Sequence, residues 1–382
     1  MMHGVGFSWT TFEAEVANHL WQSTAFAAMV ALLALCLRGN RAQVRYRLWM
    51  AASLKFLIPF SLLTGVGGML AKRELPAGPQ FVMYSLFDVA GQPFSGAPGH
   101  HGLSAMQPGG WPSHWIEGLL ADMPASVTGI WICGVVVVLL VWLARWSTVA
   151  VILRGAQELK NGREIEMLRR VAACAHVHTR VRLMLSQSMM EPAICGVAHP
   201  VLLWPLGLSE RLDDDEIEAI VTHELTHVKR RDNLTAAMHM IVEALFWFHP
   251  MVWWMEARLV EERELACDEA VLQLGGRPES YAEGLLKACR FCVESSLVCV
   301  PGISGADLRK RVVRILRAPG LREVSFFGKA LLAFVALIAV TAPIVFGQVS
   351  EGLRTSIPMA RPPVPPPPPP PRLLSEMKKL QR

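Results

Sequence analysis

The sequence predicts an α-helical membrane protein with four transmembrane helices and a mostly α, α+β domain inserted between the third and the fourth. Three observations lead there. Of 382 residues, 52% are hydrophobic and only 18% are charged, and the mean hydropathy is positive, a balance too apolar for an ordinary soluble chain. Four apolar runs are each long enough to cross a hydrocarbon core of roughly 30 Å as a helix. Between the last two runs lies a long polar stretch that mixes helical periodicity with short β-like runs.

Taken in order, residues 1–19 contain Glu13 and Glu15 and no Lys or Arg, whereas Arg38, Arg41, Arg45 and Arg47 crowd the chain just after the first span, Leu20 to Leu37. Cations mark the cytoplasmic side, so the N-terminus is extracytoplasmic and residues 20–70 form two spans around a basic cytoplasmic loop. The first run lacks a positive n-region and a small-residue cleavage site, so it is expected to stay as an anchor. The second span, Leu48 to Leu70, carries Lys55, read as a snorkelling cation, and Pro59, read as a tolerated kink. Residues 71–126 are rich in Gly, Pro and His and read as an extracytoplasmic connector. The third span, Val127 to Ala144, lies in a helix expected over 127–147. Residues 148–325 then face the cytoplasm. Arg309, Lys310, Arg311, Arg314 and Arg317 precede the fourth span, Ala330 to Phe346, which keeps the alternation consistent with a multi-pass protein of the cell inner membrane. In the extracytoplasmic tail, 347–382, seven prolines run from Pro365 to Pro371 and form a polyproline II rod, either a stiff spacer or a docking strip for an envelope partner.

The net charge of +5 does not indicate nucleic acid, because the cations gather at the cytoplasmic ends of spans, where membrane lipid explains them, and no aromatic-interleaved basic stripe is present. Of eight cysteines, Cys36 and Cys133 lie in spans and six in the cytoplasmic domain, where reduced thiols are expected. The CxxC of Cys289 and Cys292 has no second pair beside it and reads as helix packing.

Within the inserted domain, Val151 to His176 reads as a helical linker and helix. Two strands follow, Val181 to Ser186 and Pro200 to Trp204, separated by the turn-rich Glu191 to His199. The next helix is well specified: Asp213 with Glu216 resembles a capping box, and Lys229, Arg230 and Arg231 place positive charge at its end. On it lies His223-Glu224-Leu225-Thr226-His227, an HExxH motif. Two histidines four apart on one helix face can grip a zinc ion, with the glutamate beside them as base. Catalytic zinc takes a third protein ligand and leaves a position for water, and a carboxylate from a second helix commonly supplies it. The stretch Glu261 to Glu269 offers several acids, and spacing alone does not rank them; Glu264 and Asp268 share a face, so one can bind zinc while the other accepts a hydrogen bond from a ligand histidine. Tyr281, His239 and His249 read as packed side chains, and Asp232 as a helix-end or ion-pair residue.

These pieces together resemble a known family. HELTHVKRRDN over 223–233, Trp247-Phe248-His249-Pro250, Glu264-Leu265-Ala266-Cys267-Asp268, Pro200 to Pro205 and Arg45-Tyr46-Arg47-Leu48-Trp49 are similar to the membrane metallopeptidases of the BlaR/MecR beta-lactam sensor-transducers, over about residues 20–346. The resemblance implies a zincin-like metallopeptidase domain with zinc held by His223, His227 and Glu264, Glu224 as catalytic base, and Asp268 hydrogen-bonded behind a ligand. It further implies a signal-transducing endopeptidase that cleaves itself or a cytoplasmic transcriptional repressor. Receptors of that family carry a penicillin-binding sensor after the fourth span, and the 36 residues that follow the span here, 347–382, are too few for one. Two alternatives stand beside it: a housekeeping membrane protease acting on prenylated or misfolded membrane proteins, which shares HExxH and a downstream Glu, and a non-enzymatic sensor on a peptidase fold, against which the intact set of site residues argues.

Overall fold

The structure, a computed structural model, describes residues 9–59, 113–188, 191–294 and 305–317, with isolated positions between 66 and 69 and between 325 and 341. Its order is α1 (Trp9–Cys36), α2 (Ala42–Lys55), α3 (Ser113–Gly155), β1 (Gln157–Glu158), α4 (Arg163–Cys174), β2 (Arg182–Ser186), β3 (Ala193–Cys195), β4 (Val201–Pro205), a 3₁₀ turn at Leu208–Arg211, α5 (Asp214–Arg230), α6 (Asp232–Leu245), α7 (Pro250–Gln273), α8 (Pro278–Glu294) and α9 (Gly305–Arg317). The chain is mostly helical, with one small sheet ordered β1-β2-β4-β3.

Among the described residues two helical segments are long and apolar enough to cross a membrane, Glu13–Cys36 and Ala125–Gly155. The third span falls within the second of them and the first, but for Leu37, within the first, both inside helices longer than the sequence indicates. The helix containing the third starts at Ser113, so residues 113–126 are helical rather than connector. Its apolar side chains, among them Ile130, Val137, Leu140 and Leu143, are exposed, as suits contact with lipid tails.

Within the stretch Leu48 to Leu70, read as one span, the described helix stops early. α2 ends at Lys55, and a turn at Phe56 to Ile58 precedes Pro59. Proline lacks the N–H that would bond the carbonyl of Lys55, and it disfavours helix at the residue before it. Lys55 Nζ instead bonds the carbonyl of Ile58, 3.1 Å away. Beyond Pro59, and over the fourth span, residues 71–112 and the tail, the expectations lie almost wholly outside the described residues.

α2 buries its apolar face against protein. Tyr46, Trp49, Met50 and Phe56 pack with Ala27 and Val30 of α1 and with Val252, Met255 and Leu259 of α7. The basic loop does more than set topology: Arg45 is buried, ion-paired with Glu262 at 2.7 Å, and donates to the carbonyls of Leu37, Arg38 and Asn40 at the end of α1. The side chain of Glu269 on α7 accepts the N–H of Ala42 at 2.9 Å, capping the start of α2. α3 docks through Gly134, where a Cβ would stand 2.0 Å from the ring of Trp247. Trp131 Nε1 bonds the carbonyl of Leu245 at 2.8 Å, and Trp247 Nε1 bonds the carbonyl of Trp131 at 3.2 Å.

The sheet is larger than the sequence indicates. β2 pairs with β4 in parallel, Arg182 opposite Val201 through Ser186 opposite Pro205. The segment between them, read as turns, contributes β3, antiparallel to β4. Gly196 turns the chain back at φ +90°, where a Cβ would meet the carbonyl oxygen of His199 at 2.7 Å. The linker after α3 supplies β1, too short to carry a period-2 signal. Leu183, Leu202 and Trp204 of this sheet bury against Leu168 and Val171 of α4 and Ile217, Val221 and Leu225 of α5. Each such side chain contributes about 1.5–3 kcal/mol, and the contact fixes α5 across the sheet with its opposite face turned to the site.

Candidate metal centre

α5 begins on the capping box anticipated from sequence: Asp213 accepts from the N–H of Glu216, and the Glu216 side chain accepts from the N–H of Asp213, both at 2.9 Å. The helix stops at Arg231, in the left-handed region at φ +57°. Between these ends His223 and His227 project from one face, their Nε2 atoms 3.3 Å apart. Glu264 of α7 brings Oε2 to 3.5 Å from His223 Nε2, and the three donor atoms all lie within 4.8 Å of one another.

Hydrogen bonds behind the rings fix which nitrogens hold protons. His227 Nδ1 lies 2.8 Å from Asp232 Oδ2, a carboxylate that can only accept, so Nδ1 carries the proton and Nε2 a lone pair. His223 Nδ1 faces Tyr281 Oη at 2.9 Å and Asp268 Oδ1 at 3.3 Å, which leaves its Nε2 also a lone pair. In the neutral rings two imidazole lone pairs and a carboxylate oxygen therefore point at one place. That set calls for a cation at its centre, and without a metal a proton on His223, shared from Nε2 toward Glu264 Oε2, takes the place. Donors about 2.0–2.1 Å from a tetrahedral zinc lie about 3.3–3.4 Å apart, close to the separations from His223 to its two neighbours. The residues present fit zinc.

The electrostatics agree. Burial works against an imidazolium at His223, yet hydrogen bonding to Asp268 and to Glu264 outweighs it and lifts the pKa to about 9. Glu264 is held well below the usual carboxylate range: burial opposes its ionisation, but the hydrogen bond from His223 and the nearby charges of His227, His223 and Arg311 prevail. Asp268 is lowered as well, against burial, by Arg311 and His223. Glu224 goes the other way, raised by burial with only partial relief from the histidines, as suits a group that must accept a proton.

A cavity of about 390 Å³ opens over these residues, lined by Glu224 and, on its apolar side, by Ile194, Ile220, Val260 and Leu285. A second set of possible ligands, His227, Asp232 and Cys267, is less suited to a metal. It uses the nitrogen of His227 already committed to Asp232, and burial followed by the charge of Asp232 holds the Cys267 thiol well above its usual pKa, hence neutral.

All five residues singled out in the sequence line or adjoin this site. Three others were missed there. Tyr281 is buried at 1% exposure, as a packed tyrosine would be, but its hydroxyl bonds His223 and Asp268. Asp232 does pair with Arg230, at 3.1 Å, and also holds His227. Arg311, taken as a topology signal, donates to both oxygens of Asp268 at 2.9 and 2.7 Å. No local pattern marks any of them, though Asp232 follows the motif helix within one turn. His249 and His239 stay away from the site, facing Thr24 at 3.1 Å and Ser53 at 2.7 Å respectively.

Comparison with known proteins points the same way. The regulatory protein BlaR1 of Bacillus licheniformis is 30% identical over 192 residues, 49% of this chain and 32% of that protein. The methicillin resistance mecR1 protein of Staphylococcus aureus is 29% identical over 109 residues, 28% of this chain and 19% of that protein. A protease HtpX homolog of Methanopyrus kandleri is 40% identical over 84 residues, 22% of this chain and 24% of that protein. The matched stretches thus span a third or less of each relative's length. The family described as BlaR1 peptidase M56 matches residues 15–315, and since that stretch takes in most of α1, the sheet and every residue of the candidate metal centre, the chain belongs to this family of peptidases.

Proposed function

We propose that the protein is an integral-membrane zinc endopeptidase that transduces a signal by cleaving itself or a cytoplasmic transcriptional repressor. Zinc is held by His223, His227 and Glu264, Glu224 is the base, and Asp268 supports His223 from behind. The observation that carries the reading is the convergence of three lone pairs, two from α5 and one from α7, beside a buried glutamate.

A zinc ion held there supplies Lewis acidity, lowering the pKa of water toward about 7 and polarising the scissile carbonyl. Glu224 takes the proton from the attacking water and returns it to the leaving amine as the C–N bond breaks. Its burial serves this role, since a raised pKa makes the carboxylate a better acceptor of the water's proton. The apolar wall of Ile220, Val260 and Leu285 receives a substrate side chain and excludes bulk water.

The apolar segments Glu13–Cys36 and Ala125–Gly155 support an inner-membrane location, and the distribution of Lys and Arg supports a cytoplasmic peptidase domain with extracytoplasmic termini. A housekeeping membrane protease is the second reading, favoured by the likeness to the HtpX homolog. The test compares wild type with Glu224→Gln and His223→Ala in membranes. Glu224→Gln should keep one zinc and lose about 10²–10⁴-fold in cleavage rate, and His223→Ala should lose the zinc. Full zinc stoichiometry in His223→Ala, or equal cleavage by Glu224→Gln, rules the reading out. Cleavage of the chain or of a repressor favours the signalling role, and cleavage of misfolded membrane proteins alone favours the housekeeping role.

A further inference from the structure

Resting on the metallopeptidase reading, we infer that Tyr281 and Arg311 are positioning residues that fix the tautomer of His223 through a one-way hydrogen-bond relay. Tyr281 Oη stands 2.9 Å from His223 Nδ1 and 2.6 Å from Asp268 Oδ1, whereas Asp268 Oδ1 itself is 3.3 Å from that nitrogen. The tyrosine, not the aspartate, is therefore the nearer partner of the ligand. A phenol has a single proton to give. Asp268, an ionised carboxylate, can only accept, so the hydroxyl donates to Asp268 and its oxygen accepts from His223 Nδ1–H.

The opposite polarity fails on two counts. If Tyr281 donated to His223, its oxygen would face Asp268 at 2.6 Å with no proton between two acceptors. His223 would then carry its proton on Nε2, aimed at the cation site.

Arg311 closes the relay. Its guanidinium grips Asp268 through Nε at 2.9 Å and Nη2 at 2.7 Å, in the bidentate geometry that arginine alone provides. It also stands 3.5 Å from Glu264 Oε2 through Nη1. One side chain from α9 thus braces the acid behind the first histidine and the acid proposed as third ligand. α9 is held in place for this by Ile315, which packs with Tyr281, Ala219 and Val271.

The test uses the full chain purified in detergent, stripped of metal and titrated with zinc against a fluorescent chelator. Tyr281→Phe removes one oxygen and leaves the ring. It should raise the zinc Kd about 10- to 100-fold while the metal-free melting temperature stays within about 2 °C of wild type. Arg311→Met should weaken zinc to a similar degree, and Arg311→Lys should restore part of the loss. A Kd for Tyr281→Phe within twofold of wild type overturns the relay, as does a metal-free melting temperature that falls in step with affinity, which would mark a packing role. A wild-type chain that takes up no zinc overturns the metallopeptidase reading itself, a result distinct from either.

Discussion

Asp232 opens α6 one residue after the left-handed turn that ends α5, and at 1% exposure it holds His227 Nδ1 and pairs with Arg230. Replacing it with alanine frees the His227 ring to rotate and to exchange tautomers. Asp232→Ala should therefore weaken zinc about 10–100-fold, measured by chelator competition; an unchanged Kd would show that α5 alone orients His227. The histidine pair was legible in the sequence because its geometry is local, two residues one turn apart. Spacing left the proposed third ligand open, because Glu261, Glu262, Glu264, Asp268 and Glu269 look alike until their partners are known, and the family resemblance alone singled out Glu264. In the structure Glu261 pairs with Arg258, Glu262 with Arg45, Asp268 with Arg311, and Glu269 caps α2, leaving Glu264 to face the histidines. Apart from Arg258, on α7 itself, those partners come from α2 and α9, so no spacing rule could sort the acids.

At the scale of elements, α5 is the helix whose ends the sequence specifies best, and its capping box is present as written. Asp213→Ala removes the cap and should cost about 1 kcal/mol, seen as a lower melting temperature with zinc stoichiometry intact. Loss of zinc at room temperature in that variant would mean that the cap orients the motif as well as stabilising it. α2 shows the converse. Its apolar run reads as a membrane span, but hydropathy cannot tell lipid from a protein neighbour, and Trp49 meets Trp254 edge-on at 4.9 Å between ring centroids. β1 and β3 escaped notice for a simpler reason: two and three residues are too few for alternation to register, and pairing with β2 and β4 is what makes them strands. The contact between α3 and Trp247 at Gly134 invites a third test. Gly134→Val drives a side chain into the indole and should destabilise the detergent-solubilised protein by about 1–3 kcal/mol. Zinc binding should persist, since α3 contributes no group to the metal centre.

For the molecule as a whole, the metal centre is the place where the fold is joined. Its residues come from α5, the first residue of α6, α7, α8 and α9, whereas the packing of α1 and α2 against α7 involves Trp49, Met255 and Leu259 and none of the site's side chains. On the proposed zinc assignment, a cation shared by His223, His227 and Glu264 would tie α5 to α7, and through Asp268, Tyr281 and Arg311 it would steady α8 and α9. By mass action, zinc at 100 times its Kd contributes about 2.7 kcal/mol to the state that binds it. Removing it leaves the His223–Glu264 contact as the tie at the same joint, one pair in place of a three-way junction. Chelation should then increase amide exchange first in α5, α8 and α9, with α1, α2 and the first half of α7 little changed, and Glu264→Ala should reproduce the pattern without chelator. The two regions respond differently only if the metal centre holds the helices of the catalytic side together while apolar packing holds the membrane side. Uniform loss of protection on chelation would contradict this division and would make zinc a global staple, whereas no change in α8 and α9 would detach those helices from the metal and leave the Arg311–Asp268 pair a buried structural contact independent of it.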